Sequence, residues 1–370
     1  MLETKVCFMT IIIKPTYNCN FRCKYCYLSN HTKSEGQMMD ISLAQLFFSQ
    51  LKEYVKARSV KKITIIWHGG EPLLWGEENF KTILEFIDSS FKDVQHKISI
   101  QTNLSLITES FIELFKAHNV QVGFSLDGNK SINDSQRVYI GGKGTFDDII
   151  CKLELCRRAG LSIGCIVVGS KKHIGKIKEL YGFMCENHLN FKFNPLFVSG
   201  EAKSHSNEYG VTVSEYADMA IELFDLWYHD NENELVESNY VEIASNLLSD
   251  KPSHCLFGSN CQDNFFAVSP SGDIMPCGRF CDEEYRMLSY GNIQDKSLKD
   301  ILDGRKEYDA YQRASFIAKS VCSKCEFFNI CHGGCLHEGF LNNGDFRHKT
   351  FLCAAYKRIF KHIQTTIKEA

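Results

Sequence analysis

Between residue 8 and about residue 230, short apolar, β-branched runs alternate with longer amphipathic stretches. Alternation of that kind specifies repeated βα units around a parallel sheet with helices on its outer face. The runs Phe8 to Ile13, Ile63 to Trp67, Lys97 to Gln101, Val120 to Leu126, Ser162 to Val168 and Phe191 to Asn194 predict six strands. Helices are predicted over Ile41 to Ala57, Asn79 to Phe91, Thr108 to Ala117, Thr145 to Arg158, Ile174 to Asn187 and Ser214 to His229, with Asp40, Thr108 and Thr145 as caps. Parallel βα sheets hold their ligands at the carboxyl ends of the strands. The polar motifs obey that rule: Cys19 to Cys26 follow the first run, WHGGEP the second, QTN ends the third and SLDG the fourth.

After Lys251 the texture changes to short segments, turn signals such as SPSG and NNG, and cysteines. Residues 1–230 are therefore read as one domain, 231–254 as a linker, plainest in the acidic stretch Asp230 to Ser238, and 255–370 as a small domain organised by metal instead of by a core. Leu352 to Ile367 predicts a closing helix. The chain has 17 cysteines, with Cys19, Cys23 and Cys26 near the start and Cys255, Cys261, Cys277, Cys281, Cys322, Cys325, Cys331, Cys335 and Cys353 in the last third. Cys7, Cys151, Cys156, Cys165 and Cys185 lie in apolar or helical contexts, as small buried hydrophobes do. Val6 to Ile13 lacks the basic flank and cleavage site of an export signal, and no apolar run reaches the roughly 18 residues of a membrane span. A chain of this length needs no disulfide staples, so metal is the better use of the thiols, in a soluble cytoplasmic protein with no membrane partner. With 42 Lys+Arg against 45 Asp+Glu, the net charge of -3 gives no footprint for nucleic acid.

Cys19-x3-Cys23-x2-Cys26 supplies three thiolates from one loop. An iron-sulfur cube takes four ligands, so three leave one iron open to a small molecule. Zinc is the rival metal, and His31 is the one fourth ligand the loop offers. CNFRCKYC, with Tyr25 before its last cysteine, followed by GGEP at Gly69 to Pro72, QTN at Gln101 to Asn103, SLDG at Ser125 to Gly128, and Arg137, resembles the radical S-adenosylmethionine enzymes. The resemblance implies an α/β fold with a partial (β/α)6 TIM-type barrel. It also implies an open iron that chelates the cofactor's methionine and a 5'-deoxyadenosyl radical that takes a substrate hydrogen.

The companion residues suit that ligand. Gly69 and Gly70, lacking Cβ, let the backbone offer carbonyls to the methionine ammonium, and Glu71 adds an acceptor; an ordinary turn is the alternative. Ser125 and Asp127 are candidates for the ribose hydroxyls and Arg137 for the carboxylate. Tyr25, Gln101 and Asn103 join the candidate cofactor set, with Val167 and Leu196 read either as adenine contacts or as core. His68 reads as a packed histidine.

The second field, Cys322-x2-Cys325-x5-Cys331-x3-Cys335-x17-Cys353, is preceded by Cys255, Cys261 and Cys277. It resembles the SPASM extension of radical enzymes. By that resemblance Cys255, Cys261, Cys277 and Cys335 hold one auxiliary cluster, and Cys322, Cys325, Cys331 and Cys353 hold another, for three [4Fe-4S] clusters in all. Two zinc ribbons are the alternative. Cys281 is surplus.

The nearest flavour is that of anaerobic sulfatase-maturating enzymes and of maturases of ribosomally made peptides. In the former an Asp after the cysteine matching Cys277 is the base, whereas this chain has Gly278. The departure points to a radical SAM/SPASM peptide or protein maturase, forming a crosslink at an unactivated carbon of a ribosomally made peptide. Formylglycine formation with another base, Asp282 or Asp273, is the enzymatic rival, and a zinc-stabilised binding protein the non-enzymatic one. Arg279 is a candidate contact for a peptide carbonyl or carboxylate. With strand one beginning about residue 8, no separate recognition domain is expected ahead of the barrel, so the peptide is held by barrel mouth and SPASM domain or delivered by another protein. A reducing electron donor such as flavodoxin or ferredoxin completes the expected partners.

Overall fold

The structure, a computed structural model, describes residues 8–34, 37–252, 255–258 and 260–369. Six parallel strands, β1 (Phe8–Ile13), β2 (Lys62–Trp67), β3 (Gln95–Thr102), β4 (Val120–Ser125), β5 (Ile163–Gly169) and β6 (Phe191–Pro195), lie side by side in chain order. Each is joined to the next through a helical crossover, the main ones being Ile41–Ala57, Glu77–Ser90, Glu109–Ala117, Phe146–Arg158 and Ile177–Glu186. Alternate strand residues, among them Ile11, Ile65, Trp67, Ile100, Phe124, Val167 and Phe193, are fully buried. Trp67 packs on Phe48 and Phe80 and Phe193 stacks on Tyr216, which places this face against the helices. The opposite face, with Ile12, Ile66, Gln101, Ser125 and Val168, is only half buried and forms the inner wall. Thr108 caps its helix by accepting from the Phe111 N–H at 3.2 Å, while Asp40 and Thr145 occupy cap positions without a side-chain cap bond.

The cysteine-rich part is built onto the same sheet. β7 (Phe265–Val268) runs parallel to β1, pairing Ile11 with Phe266 and Ile13 with Val268. β8 (Asp273–Met275) and β9 (Gly291–Asn292) continue antiparallel, giving the order β6-β5-β4-β3-β2-β1-β7-β8-β9. The first edge of the barrel sheet is thus closed by the last third of the chain, and a region expected to rest on metal also rests on a shared sheet.

The stretch read as a linker contains a helix, Ser238–Ser249. Buried Glu237 caps it, accepting from the Phe193 and Tyr240 N–H groups at 2.7 Å each, so the cap also ties β6 to the helix. The closing helix, Cys353–Glu369, lies across helix Val213–Tyr228. Arg358 bonds Ser214 at 3.1 Å and pairs with Asp218, and His362 meets Asp225 at 2.5 Å. Among the described residues no helix is long and apolar enough to cross a membrane.

Candidate active site and cluster sites

The loop leaving β1 carries Cys19, Cys23 and Cys26. The Cys19 sulfur accepts from the Phe21 N–H at 3.3 Å and lies 3.9 Å from Asn103 Nδ2, and Arg137 Nη1 lies 4.0 Å from the Cys23 sulfur. Burial pushes the Cys23 thiol up to about 11, with Arg137 acting against it and Cys26 adding to it. Cys19 is raised further, by burial and then by Cys23 and Glu71. Buried thiols that raise one another release their protons readily only to a cationic core, which suits a metal-sulfur group. Among the described residues no three His, Cys, Asp or Glu side chains converge on a single-ion geometry.

The GGEP turn lies against this loop. His68 N–H donates to Ile13 O, Gly70 N–H to Thr16 O and Glu71 N–H to Asn18 O, at 2.9, 3.1 and 2.8 Å. A Cβ on Gly69 would stand 2.4 Å from Thr16 O, and one on Gly70 2.2 Å from Tyr17 O, so both glycines are needed to let the two backbones touch. Glu71 is fully buried and accepts from Leu73 N–H, Thr102 Oγ1 and Asn103 N–H at 3.0, 2.7 and 2.7 Å. It therefore rivets GGEP to QTN. Burial raises its carboxyl to about 7 against the pull of these donors. Asn103 is itself engaged with Asn20 at 2.8 Å and with Ser105.

Asp127 is fully buried too, accepting from Gln136 Nε2 (2.9 Å), Arg137 Nε (2.8 Å), Val168 N–H (3.0 Å) and the Tyr25 hydroxyl. Arg137 lies over the Tyr25 ring, 5.3 Å from its centroid. These three residues brace one another beside Cys23, so Asp127 and Arg137, the candidates for the ribose and the carboxylate, are also partners of each other. Gln101 and Ser125, bonded at 3.0 Å, sit on the inner wall. Leu196 joins Tyr25, Ala202 and Tyr209 in a small apolar cluster touched by Cys23 and Val168. Val167 belongs to the helix-facing core; strand alternation turns its neighbour Val168 inward.

The other thiols gather in two places. Cys322, Cys325, Cys331 and Cys353 line one cavity of about 200 Å³, and the Cys331 thiol is raised to about 12 by burial and then by the other three. Cys255 and Cys261 line a second cavity beside Arg313, and the Cys255 thiol is raised by burial and then by Cys261, Cys335 and Cys277. Both sets have the donor chemistry and crowding that a cluster requires. Of the remaining cysteines, Cys156 and Cys165 are buried and Cys185 half buried, Cys151 is exposed on its helix, and Cys7 lies outside the described residues.

Comparison with known proteins agrees with this geometry. Residues 13–184 match the Radical SAM superfamily, and residues 255–326 match SPASM, an iron-sulfur cluster-binding domain. The chain belongs to the radical SAM superfamily. It is 27% identical over 368 residues to a cysteine-type anaerobic sulfatase-maturating enzyme of Clostridium perfringens, covering 96% of each chain. A serine-type anaerobic sulfatase-maturating enzyme of Bacteroides thetaiotaomicron is 22% identical, with 95% of this chain and 89% of that protein covered. The solved structure of native anSMEcpe with bound AdoMet and Cp18Cys peptide superposes with a TM-score of 0.83 at 23% identity, covering 98% of each chain, and so shares the fold.

In this radical SAM chain the candidate bases are engaged elsewhere. Asp282 accepts from Thr32 Oγ1 at 2.8 Å and Ser29 N–H at 3.2 Å, fastening the SPASM part to the cysteine loop. Asp273 is held in the β7–β8 turn by Ser271 at 2.7 Å and Asn292 at 2.9 Å. Gly278 packs on β1: a Cβ there would meet Ile12 Cγ2 at 2.8 Å. Arg279 lies 4.1 Å over the Phe197 ring, with Nη1 3.8 Å from the Cys335 sulfur. His68 accepts from Gly69 N–H at 2.8 Å, and burial lowers it to about 4, so it is neutral at pH 7. The sequence reading missed Lys14. Fully buried at the end of β1, it donates to Tyr27 OH and to Cys281 O, each at 3.1 Å. A lysine directly after the three isoleucines Ile11 to Ile13 was the available signal. The surplus Cys281 is buried beside it, its thiol pushed up to about 12 by burial.

Proposed function

We propose that the chain is a radical S-adenosylmethionine-dependent maturase that forms a crosslink at an unactivated carbon of a ribosomally made peptide, holding three [4Fe-4S] clusters. Cys19, Cys23 and Cys26 would hold the radical-generating cluster, and the two sets of four thiols the auxiliary ones. Together with S-adenosylmethionine these groups supply a radical that takes a hydrogen atom and a sink for the electron that a net two-electron oxidation releases. Gln101, Ser125, Leu196 and the Gly69–Gly70 backbone would receive the cofactor. Glu71 and the Asp127–Arg137–Tyr25 brace keep the loops in register. A flavodoxin or ferredoxin is the reductant this reading requires.

The observation that carries the reading is the contact between Gly278 and Ile12. Where the sulfatase-maturating relatives are expected to place a carboxylate, this chain has no side chain and fills the space with an apolar residue. The relatives themselves support a second reading, formylglycine formation, in which another group takes the proton. Asp282 and Asp273 are poor substitutes, being already held by donors. Anaerobic incubation with reductant and cofactor separates the two. A peptide encoded beside the gene is expected to lose two hydrogens in a crosslink, while serine- and cysteine-type sulfatase peptides stay unchanged by mass spectrometry. Efficient formylglycine formation would establish the second reading instead.

A further inference from the structure

Val321, Lys324, Lys349 and Lys357 line the cavity that holds Cys322, Cys325, Cys331 and Cys353, and all four are exposed, so the cavity opens on the surface at this rim. Each lysine is placed there by an element that also places a thiol. Lys324 ends the short helix Val321–Lys324, beside Cys322 and Cys325. Lys349 precedes Thr350, whose N–H donates to Gly333 O at 2.8 Å and pins the strap before Cys353. Lys357 follows Cys353 by one helical turn and reaches the Cys325 thiol.

The rim is positive in a chain whose overall charge is -3. Nearby carboxylates are spent elsewhere: Asp309 pairs with Arg347 at 3.2 Å and Asp345 with His348 at 3.4 Å. Glu326 is the acidic neighbour felt at Lys357. Among the described residues no carboxylate lies within ion-pair distance of Lys324 or Lys349. Val321, with 75% of its surface exposed, adds an apolar spot at the edge. A positive ring with an apolar spot, set over a thiol-lined cavity, complements a negatively charged protein that must bring its own redox group close to that cavity.

We infer that this lysine rim is the docking site of an acidic one-electron carrier protein. The inference rests on the proposed clusters only in that it supplies the carrier's reason to dock there. Charge complementarity makes the binding itself measurable without turnover.

The probe is oxidised flavodoxin, an acidic FMN protein, titrated by calorimetry into the anaerobically reconstituted chain at low and moderate salt. Wild type is expected to bind, more weakly as salt rises. Lys324→Glu with Lys349→Glu is expected to weaken binding at least tenfold and flatten the salt dependence. Lys52→Glu with Lys81→Glu, on helices of the barrel, is expected to bind like wild type. Equal affinity of the rim variant and wild type, or no binding by wild type, overturns the inference. Lysines serving only to balance charge in the cavity would lower iron content in the rim variant without changing its affinity, which also overturns it. Iron content of wild type tests the cluster assignment separately, since neither substituted lysine is a proposed ligand.

Discussion

Gly278 sits where its neighbour leaves no room for a side chain. Its backbone places the absent Cβ 2.8 Å from Ile12 Cγ2 and 3.2 Å from Ile12 Cδ1, closer than packed side chains approach. Ile12 is β-branched and anchored in a strand, so it yields little. Gly278→Asp is therefore expected to destabilise the fold by about 1–3 kcal/mol through overpacking and a poorly solvated carboxylate. Adding Ile12→Ala opens the space, and the pair is expected to show a favourable coupling of at least about 0.5 kcal/mol. Denaturation of the two single variants and the double variant closes the cycle. Strict additivity would show that the two residues do not meet.

At the scale of the element, strand positions were legible because a half-buried parallel strand leaves a strong local signature. β1 was expected at Phe8 to Ile13 and is found there, and the other five lie within a few residues of expectation. The β7–β9 extension was not legible. FFAV is only four residues long, and its partner is β1, some 250 residues earlier. The roles of Glu71 and Asp127 were hidden for the same reason: Glu71 bonds Thr102, 31 residues on, and Asp127 bonds Tyr25, 102 residues back. Residue type announced a site, but only the fold shows which polar groups spend themselves on one another. The helix Ser238–Ser249 was missed because its cap is a glutamate in an acidic run that reads as solvated. Glu237 is buried, and burial raises its carboxyl from 4.5 to about 7 although backbone N–H groups oppose the shift. In the unfolded chain it ionises near its ordinary value. Its contribution to stability is thus full below about 4.5, is lost as pH rises through about 7, and amounts to up to about 3 kcal/mol. Urea midpoints between pH 4.5 and 8 should fall less steeply in Glu237→Gln, whose side chain does not titrate. An unchanged slope would mean that Glu237 is solvated.

Across the whole molecule, the two auxiliary thiol sets are supported differently. Cys261 opens the short helix Cys261–Asp263 just ahead of β7, and Cys277 follows β8 after Pro276, so these two thiols of the first set hang on strands continuous with the barrel sheet. Cys322 and Cys331 sit on short helices, Cys325 directly follows the first of them, and Cys353 opens the helix docked on Val213–Tyr228, with no strand among them. Removing thiols from the second set should therefore leave the other two sites intact. The three [4Fe-4S] clusters proposed above would amount to about twelve irons per chain after anaerobic reconstitution. Cys322→Ala with Cys325→Ala is expected to hold about eight and still cleave S-adenosylmethionine reductively. Replacing Cys19, Cys23 and Cys26 by Ala should also leave about eight, but with cleavage abolished, because only that loop lacks a fourth thiolate. The decisive measurements are iron and zinc analysis alongside 5'-deoxyadenosine yield. About four irons with bound zinc in wild type would assign the thiols of the last third to zinc. Loss of nearly all iron in the Cys322/Cys325 variant would show instead that the two sets fold as one unit, and that the sheet shared with β1 does not hold the first set in place by itself.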